Sequence, residues 1–244
     1  MGFRQGKNRN FWFKNSIVIL LFFIICCRNK AKEQFSTATI ESKTDTLVEF
    51  VSYEKKSKQI EVYHDDFVNI QALSDDFILD LKYATTDNFL KQAVYQCPEC
   101  FLRKETAKAL VAANESFKKL GYRIKIFDCY RPLSVQQKMW SILPGTHYVA
   151  NPAKGSKHNR GAAVDITLVD SNGNELDMGT SFDYFGKEAH HNYQNLPSQV
   201  IKNRKLLKEV MDKHNFRSIY SEWWHYEFRP ERDSKIENFT WECQ

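Results

Sequence analysis

The chain has 244 residues, of which 42% are hydrophobic and 27% charged. That balance excludes a disordered chain, a collagen and a multi-span membrane protein, and the length allows one full domain or two small ones. The formal charge of +5 invites a nucleic-acid reading, so the location of the excess matters.

It sits at the start. Residues 1–15 hold Arg4, Lys7, Arg9 and Lys14 and no acid, and residues 17–25 are an unbroken apolar run. A basic segment before about ten apolar residues is the layout of an export signal, and such a run is too short to cross a roughly 30 Å hydrocarbon core. Cys26 and Cys27 end the run in the manner of a bacterial lipobox. The residue before the acylated Cys is normally small, so Cys27, preceded by Cys26, fits better than Cys26, preceded by Ile25. The expectation is an export signal over 1–27, a polar tether over 28–58 and one domain over 59–244. The tether would reach roughly 30 Å, and a first strand at 46–53 is its alternative reading. The domain would work outside the cytoplasm, as a membrane-anchored lipoprotein facing the periplasm or cell exterior, or as a plainly secreted protein. Without residues 1–26, thirty-one basic residues face thirty acidic ones, a formal charge of about +1. The nucleic-acid reading leaves with the signal.

In chain order, residues 77–83 (FILDLKY) alternate as a strand does. Residues 103–120 carry Ala107, Leu110, Val111 and Phe117 as a helical stripe, with Gly121 where a C-cap belongs. Residues 122–127 alternate again, and Ser134 is placed to cap a short helix running to Trp140. Residues 162–169 (AAVDITLV) form a near-continuous apolar strand, and the Asn-Gly signal in 170–174 predicts a hairpin. A long helix is expected over 197–214 and a last strand over 219–228. Strands and helices mix without strict alternation, which predicts an α+β fold: an antiparallel central sheet with flanking helices.

The chemistry concentrates in two segments. Asp165 lies inside the apolar strand, where an ionised carboxylate must be paired or bound to a metal, and His158 stands shortly before it. The second segment, Glu222-Trp223-Trp224-His225, adds an acid and a His among aromatics. Alone, each has a plainer reading: a carboxylate bonded to backbone N–H groups and a core histidine. Together they supply three N/O ligands and a spare carboxylate, the inventory of a catalytic zinc site with an open position for water. A regular strand would turn Glu222 and His225 to opposite faces, so a bend at 221–223 is expected if both serve one ion.

His158-x6-Asp165 with Glu222-x2-His225 resembles the metal signature of the hedgehog-like, D-Ala-D-Ala peptidase zinc fold. The segments Tyr83–Phe89 (YATTDNF), Asp128–Pro132 (DCYRP), Met178–Asp183 (MGTSFD) and the doubled Trp of EWWH narrow the likeness to the D-alanyl-D-alanine dipeptidase family. The resemblance implies one Zn²⁺ per chain on His158, Asp165 and His225, with Glu222 as general base and Arg131 stabilising the oxyanion. It also implies Asp183 on the substrate ammonium and Ser156 as a substrate contact, with Asp128 a supporting partner of Arg131. The implied substrate is a small D-amino-acid dipeptide, D-Ala-D-Ala, in cell-wall peptide turnover. Two other readings stand beside it. One is a D,D-carboxypeptidase or L,D-peptidase of the same fold acting on longer peptidoglycan stems. The other is a non-catalytic cell-wall-binding lipoprotein, which would have no need of Glu222.

Other features read as structural. Cys97-x2-Cys100 lacks the second Cys pair of a zinc ribbon. Cys97, Cys100, Cys129 and Cys243 allow three disulfide pairings in an oxidising compartment, and Cys129 equally suits a small buried hydrophobe. His190-His191 reads as a polar loop pair, and no phosphate-binding glycine loop is present. The sequence points to no protein partner.

Overall fold

The computed structural model describes residues 63–146 and 148–243. Cys27, the export signal, the tether and the candidate strand at 46–53 lie outside the described residues. Strand β1 (Phe67–Asn69) runs into the single-turn helix α1 (Ile70–Leu73), followed by β2 (Ile78–Leu79) and β3 (Phe101–Arg103). Helix α2 (Lys104–Lys118) leads to β4 (Arg123–Asp128), then α3 (Leu133–Ile142) and β5 (Ala163–Val169). Helix α4 (Ser198–Lys213) precedes β6 (Phe216–Ser218) and β7 (His225–Phe228).

The main sheet has the order β2-β4-β5-β7-β6, and β1 and β3 pair in a separate ribbon. It is antiparallel throughout except at one edge, where β2 runs parallel to β4. All seven residues of β5 are buried. Val164, Ile166 and Leu168 share one core with Leu110 and Phe117 of α2 and Leu207 and Met211 of α4. Asp165, by strand alternation, points to the opposite face. A second, mostly aromatic core gathers Phe67, Tyr83, Tyr95, Phe101, Tyr130 and Trp241. Among the described residues no helix is long and apolar enough to cross a membrane.

The helices follow the apolar stripes, and the departures have local causes. The strand expected over 77–83 shrinks to Ile78–Leu79 because the chain turns at Lys82–Ala84. Buried Asn88 holds that turn, donating to the carbonyls of Lys82, Thr85 and Gln92 at 2.7–3.0 Å. Ser134 is not the cap of α3. Pro132 takes that place, and the free N–H of Ser134 is met by Asn238 Oδ1 at 2.8 Å, so the C-terminal tail does the capping. The return after β5 is the expected hairpin, kept short: Val169 bridges Glu175, flanked by Asp170 N–H to the Asn174 carbonyl and Leu176 N–H to the Leu168 carbonyl, both at 2.9 Å. The strand expected over 219–228 begins only at His225, and bends occupy the stretch before it.

Gly161 ends the short 3-10 turn His158–Arg160 at φ +65°, and a Cβ there would lie 2.2 Å from the Phe67 ring. Gly161→Ala is expected to cost about 1–2 kcal/mol for the left-handed backbone alone, with the clash added. A urea denaturation midpoint equal to wild type would refute this.

Candidate active site

Asp165 faces His225 across the β5–β7 ladder and Asp128 across β4–β5. The second pairing needs a bulge: the register shifts between Ile126 and Asp128, so Phe127 is the extra residue that brings Asp128 opposite Asp165. Three adjacent strands thus set Asp128, Asp165 and His225 in one row. His158 joins them from the 3-10 turn, its backbone fixed by Gly161.

The ring nitrogens are sorted by their neighbours. His158 Nδ1–H donates to the Cys129 carbonyl at 2.7 Å, which leaves Nε2 free as a ligand. His158 Nε2, His225 Nδ1 and Asp165 Oδ1 form a triangle with sides of 3.1, 2.9 and 3.3 Å. A tetrahedral ion bound at about 2.0–2.1 Å needs ligand atoms roughly 3.3–3.4 Å apart, and two imidazoles with a carboxylate are a zinc donor set. The residues fit such an ion. Glu222 Oε2 stands 4.0 Å from His225 Nδ1, brought there by the bend that the spacing requires.

The electrostatics separate the carboxylates. Burial alone would raise Asp165, but hydrogen bonds and charge from His158 and His225 reverse this and hold it well below the usual range. Burial opposes the His225 imidazolium, yet Asp165, Glu227 and Glu222 outweigh it and push the ring up to about 10. Burial lifts Glu222 to about 7, with His225 pulling down and Asp165 adding to the rise. Asp183 is raised well above its ordinary value, chiefly by burial and then by the Asp165 charge.

Arg131 lies where the loop leaves β4. Its Nε and Nη2 donate to Asp128 Oδ2 at 3.1 and 2.6 Å, its Nη1 donates to Gln136 Oε1 at 2.8 Å, and its guanidinium lies 5.1 Å from the Tyr83 ring centre. Asp128 is fully buried and also accepts from Tyr95 Oη at 2.7 Å. Asp183 has φ +56° and accepts from Tyr83 Oη at 2.9 Å. Ser156 accepts from the His158 N–H at 3.2 Å, so its hydroxyl also orders the ligand turn.

These groups share one cleft of about 260 Å³, lined by Arg131, Ser156, His158, Asp165, Asp183, Glu222 and His225, with Asp128 behind Arg131. Tyr83, Gln136, Tyr95 and Glu227 are the supporting residues that the sequence reading passes over. Only Tyr83 carried a signal, as the first residue of YATTDNF. Trp224 forms cleft wall, and His190 and His191 are not among its lining residues. The cysteines pair as Cys97–Cys243 and Cys100–Cys129, so Cys129 is not a free buried thiol.

A family model described as D-ala-D-ala dipeptidase (peptidase M15) matches residues 64–240. The chain belongs to this family. A D-alanyl-D-alanine dipeptidase of Escherichia coli is 37% identical over 66% of this chain and 84% of its own. Those of Enterococcus faecalis and Streptomyces coelicolor are each 32% identical, over 60% and 68% of this chain and 83% and 93% of theirs. An LdcB LD-carboxypeptidase structure aligns with 67% of this chain and 68% of its own at 23% identity, with a TM-score of 0.38. Membership makes the chain a peptidase with an α+β fold.

A second cluster, His64, Asp65 and Glu237, has ligand atoms within 4.8 Å of one another. Its Glu237 is already met by Lys235 at 3.1 Å and Arg103 at 3.7 Å. Metal analysis is expected to find one zinc per chain, lost in Asp165→Ala and retained in Glu237→Ala. Two ions per wild-type chain, or retention in Asp165→Ala, would displace the site.

Proposed function

We propose that the chain is an exported zinc D-alanyl-D-alanine dipeptidase of cell-wall peptide turnover, anchored through Cys27. The observation that carries this reading is the charge balance of the cleft. Its two lining cations, Arg131 and Lys157, are already matched by Asp128 and Asp233, and Glu227 has Arg232 at 3.5 Å. Among the described residues, Asp165, Asp183 and Glu222 have no Lys or Arg partner. A divalent ion on the Asp165 triangle and a ligand ammonium at Asp183 would balance them. The family relatives, each named for D-alanyl-D-alanine, support the same substrate.

Zinc held by His158, Asp165 and His225 would polarise the scissile carbonyl and make a nucleophile available near neutral pH. Glu222 takes the proton of the attacking water and returns it to the leaving amine. Arg131 offers a fixed positive charge to the oxyanion, and Asp128 and Gln136 hold its guanidinium in one pose. Asp183 takes the substrate ammonium, and Ser156 borders the bound dipeptide. A free dipeptide carries charge at both ends, which suits a small cleft with a carboxylate fixed at one side. Export is supported by the signal-like layout of residues 1–27 and by two disulfides, which persist in oxidising compartments.

Hydrolysis assays on D-Ala-D-Ala, L-Ala-D-Ala and a stem pentapeptide test the substrate. The free D,D-dipeptide should be cleaved with the highest kcat/KM, and faster release of D-Ala from the pentapeptide would establish the carboxypeptidase reading instead. Glu222→Ala should keep its zinc and lose at least about a hundredfold in kcat, whereas near-normal turnover would remove Glu222 from the chemistry.

A further inference from the structure

The ladder of β4 ends at Asp128, and the residues that matter most to the site follow it. Cys129 gives its carbonyl to His158 Nδ1 and its N–H to Asp128 Oδ1 at 2.9 Å. Two residues on is Arg131, whose N–H reaches the His158 carbonyl at 3.2 Å. Beyond the sheet this segment is fastened to β3 by one backbone bond, Tyr130 N–H to the Phe101 carbonyl at 3.0 Å, and by one covalent link, the Cys100–Cys129 disulfide. Both sulfur-bearing residues are fully buried, at 0% and 1% exposure. The other disulfide, Cys97–Cys243, differs in place and in access. Cys243 is exposed, and the link closes the C-terminal tail rather than the ligand loop.

We propose that the Cys100–Cys129 disulfide positions the metal and oxyanion groups, and that the chain becomes fully active only when this bond has formed. The reason is the carbonyl of Cys129. It sets the tautomer and ring orientation of His158, and outer partners of a metal-bound histidine typically govern affinity or activity by roughly 10–100-fold. With two thiols in place of the bond, the Tyr130 backbone bond is the direct tie left to β3, and the segment rests otherwise on the ligand turn and the tail, through Asn159 Nδ2 to the Arg131 carbonyl at 2.7 Å and Tyr130 Oη to the Phe239 carbonyl at 3.1 Å. A nascent chain in a reducing compartment would carry those thiols, and a site without its covalent tie, until it is exported. Reduction is a two-electron step. A dithiol such as dithiothreitol supplies two protons and two electrons, closes to its cyclic disulfide, and leaves Cys100 and Cys129 as thiols.

The catalytic arm of the test rests on the dipeptidase reading, and the metal arm does not. The full chain is compared as wild type, C100A/C129A and C97A/C243A, each loaded with Co²⁺. The readouts are the visible absorption of the bound cobalt, the cobalt Kd, circular dichroism, and kcat and KM on D-Ala-D-Ala. The expected result is a folded C100A/C129A with a shifted cobalt spectrum, at least tenfold weaker metal binding and at least tenfold lower kcat at nearly unchanged KM. C97A/C243A should keep the wild-type spectrum and kcat while melting at a lower temperature. A folded C100A/C129A with wild-type cobalt spectrum and affinity would overturn the proposal. If C100A/C129A does not fold, C97A/C243A with its two remaining thiols reduced and the reductant removed takes its place, compared with its own oxidised form. A folded reduced chain with a shifted spectrum supports the proposal, whereas a wild-type spectrum or an unfolded chain makes the bond a general staple and overturns it. A wild type that cleaves no D-dipeptide sinks the dipeptidase reading, and the cobalt spectra still decide the role of the disulfide.

Discussion

An ionised carboxylate buried in the most apolar strand of a protein has to be answered by opposite charge, and the charge at Asp165 organises the molecule around it. Asp165 is 3% exposed, between Val164 and Ile166, which are completely buried. An uncompensated charge there would cost several kcal/mol. Two imidazoles reach it, one across the ladder and one from the preceding turn, and the triangle they form with it fits a divalent ion. Each needs a structural device to arrive. His225 needs the chain to bend before β7, which also carries Glu222 inward. His158 needs the left-handed Gly161 to turn the chain back into β5.

The groups around that charge sit on turns and strand ends, so their precision comes from the packing of those turns. Asn159 is the link. Its Nδ2 donates to the Arg131 carbonyl at 2.7 Å, its Oδ1 accepts from the Ser156 N–H at 2.7 Å, and its own carbonyl accepts from Glu237 N–H at 2.8 Å. The Arg131 loop, the His158 turn and the C-terminal tail therefore meet at one buried amide. The tail continues the support, with Phe239 stacked on Tyr130 at 4.3 Å and Trp241 packed against Tyr95. Tyr95 in turn donates to Asp128. Residues far from the cleft in sequence thus form its back wall.

What the sequence revealed follows from how local the cause was. The apolar stripes of α2 and α4 and the run in β5 are short-range patterns, and they appear within two residues of the expected bounds. The acid inside β5 and the odd spacing of Glu222 and His225 are also local, and physical chemistry alone demanded a partner for one and a bend for the other. The rest depended on distant contacts. Pro132 occupies the cap position of α3 and the free Ser134 N–H is met by Asn238, about a hundred residues away, a contact that no local pattern around Ser134 encodes. Tyr83 sits in a turn made by Asn88 and reads from the sequence as the end of a strand. The bulge at Phe127 leaves no mark in an alternating segment. The pairing of four cysteines has three solutions until the fold selects one.

Asp165, a corner of the triangle, and Glu222 beside it are separated by their surroundings. Asp165 has His225 Nδ1 at 2.9 Å and His158 Nε2 at 3.3 Å, so its charge is held in place. Glu222 is half-buried and has no such contact, with the nearest imidazole nitrogen at 4.0 Å. A carboxylate that is desolvated and not locked into an ion pair can take up a proton and give it back. Asp183 stands apart from both, restrained by Tyr83 and carried on a strained left-handed backbone that costs free energy unless its placement is needed. Under the proposed function its position would set where the substrate ammonium is welcome, so that reading makes backbone geometry at Asp183 the limit on how long a peptide the cleft accepts.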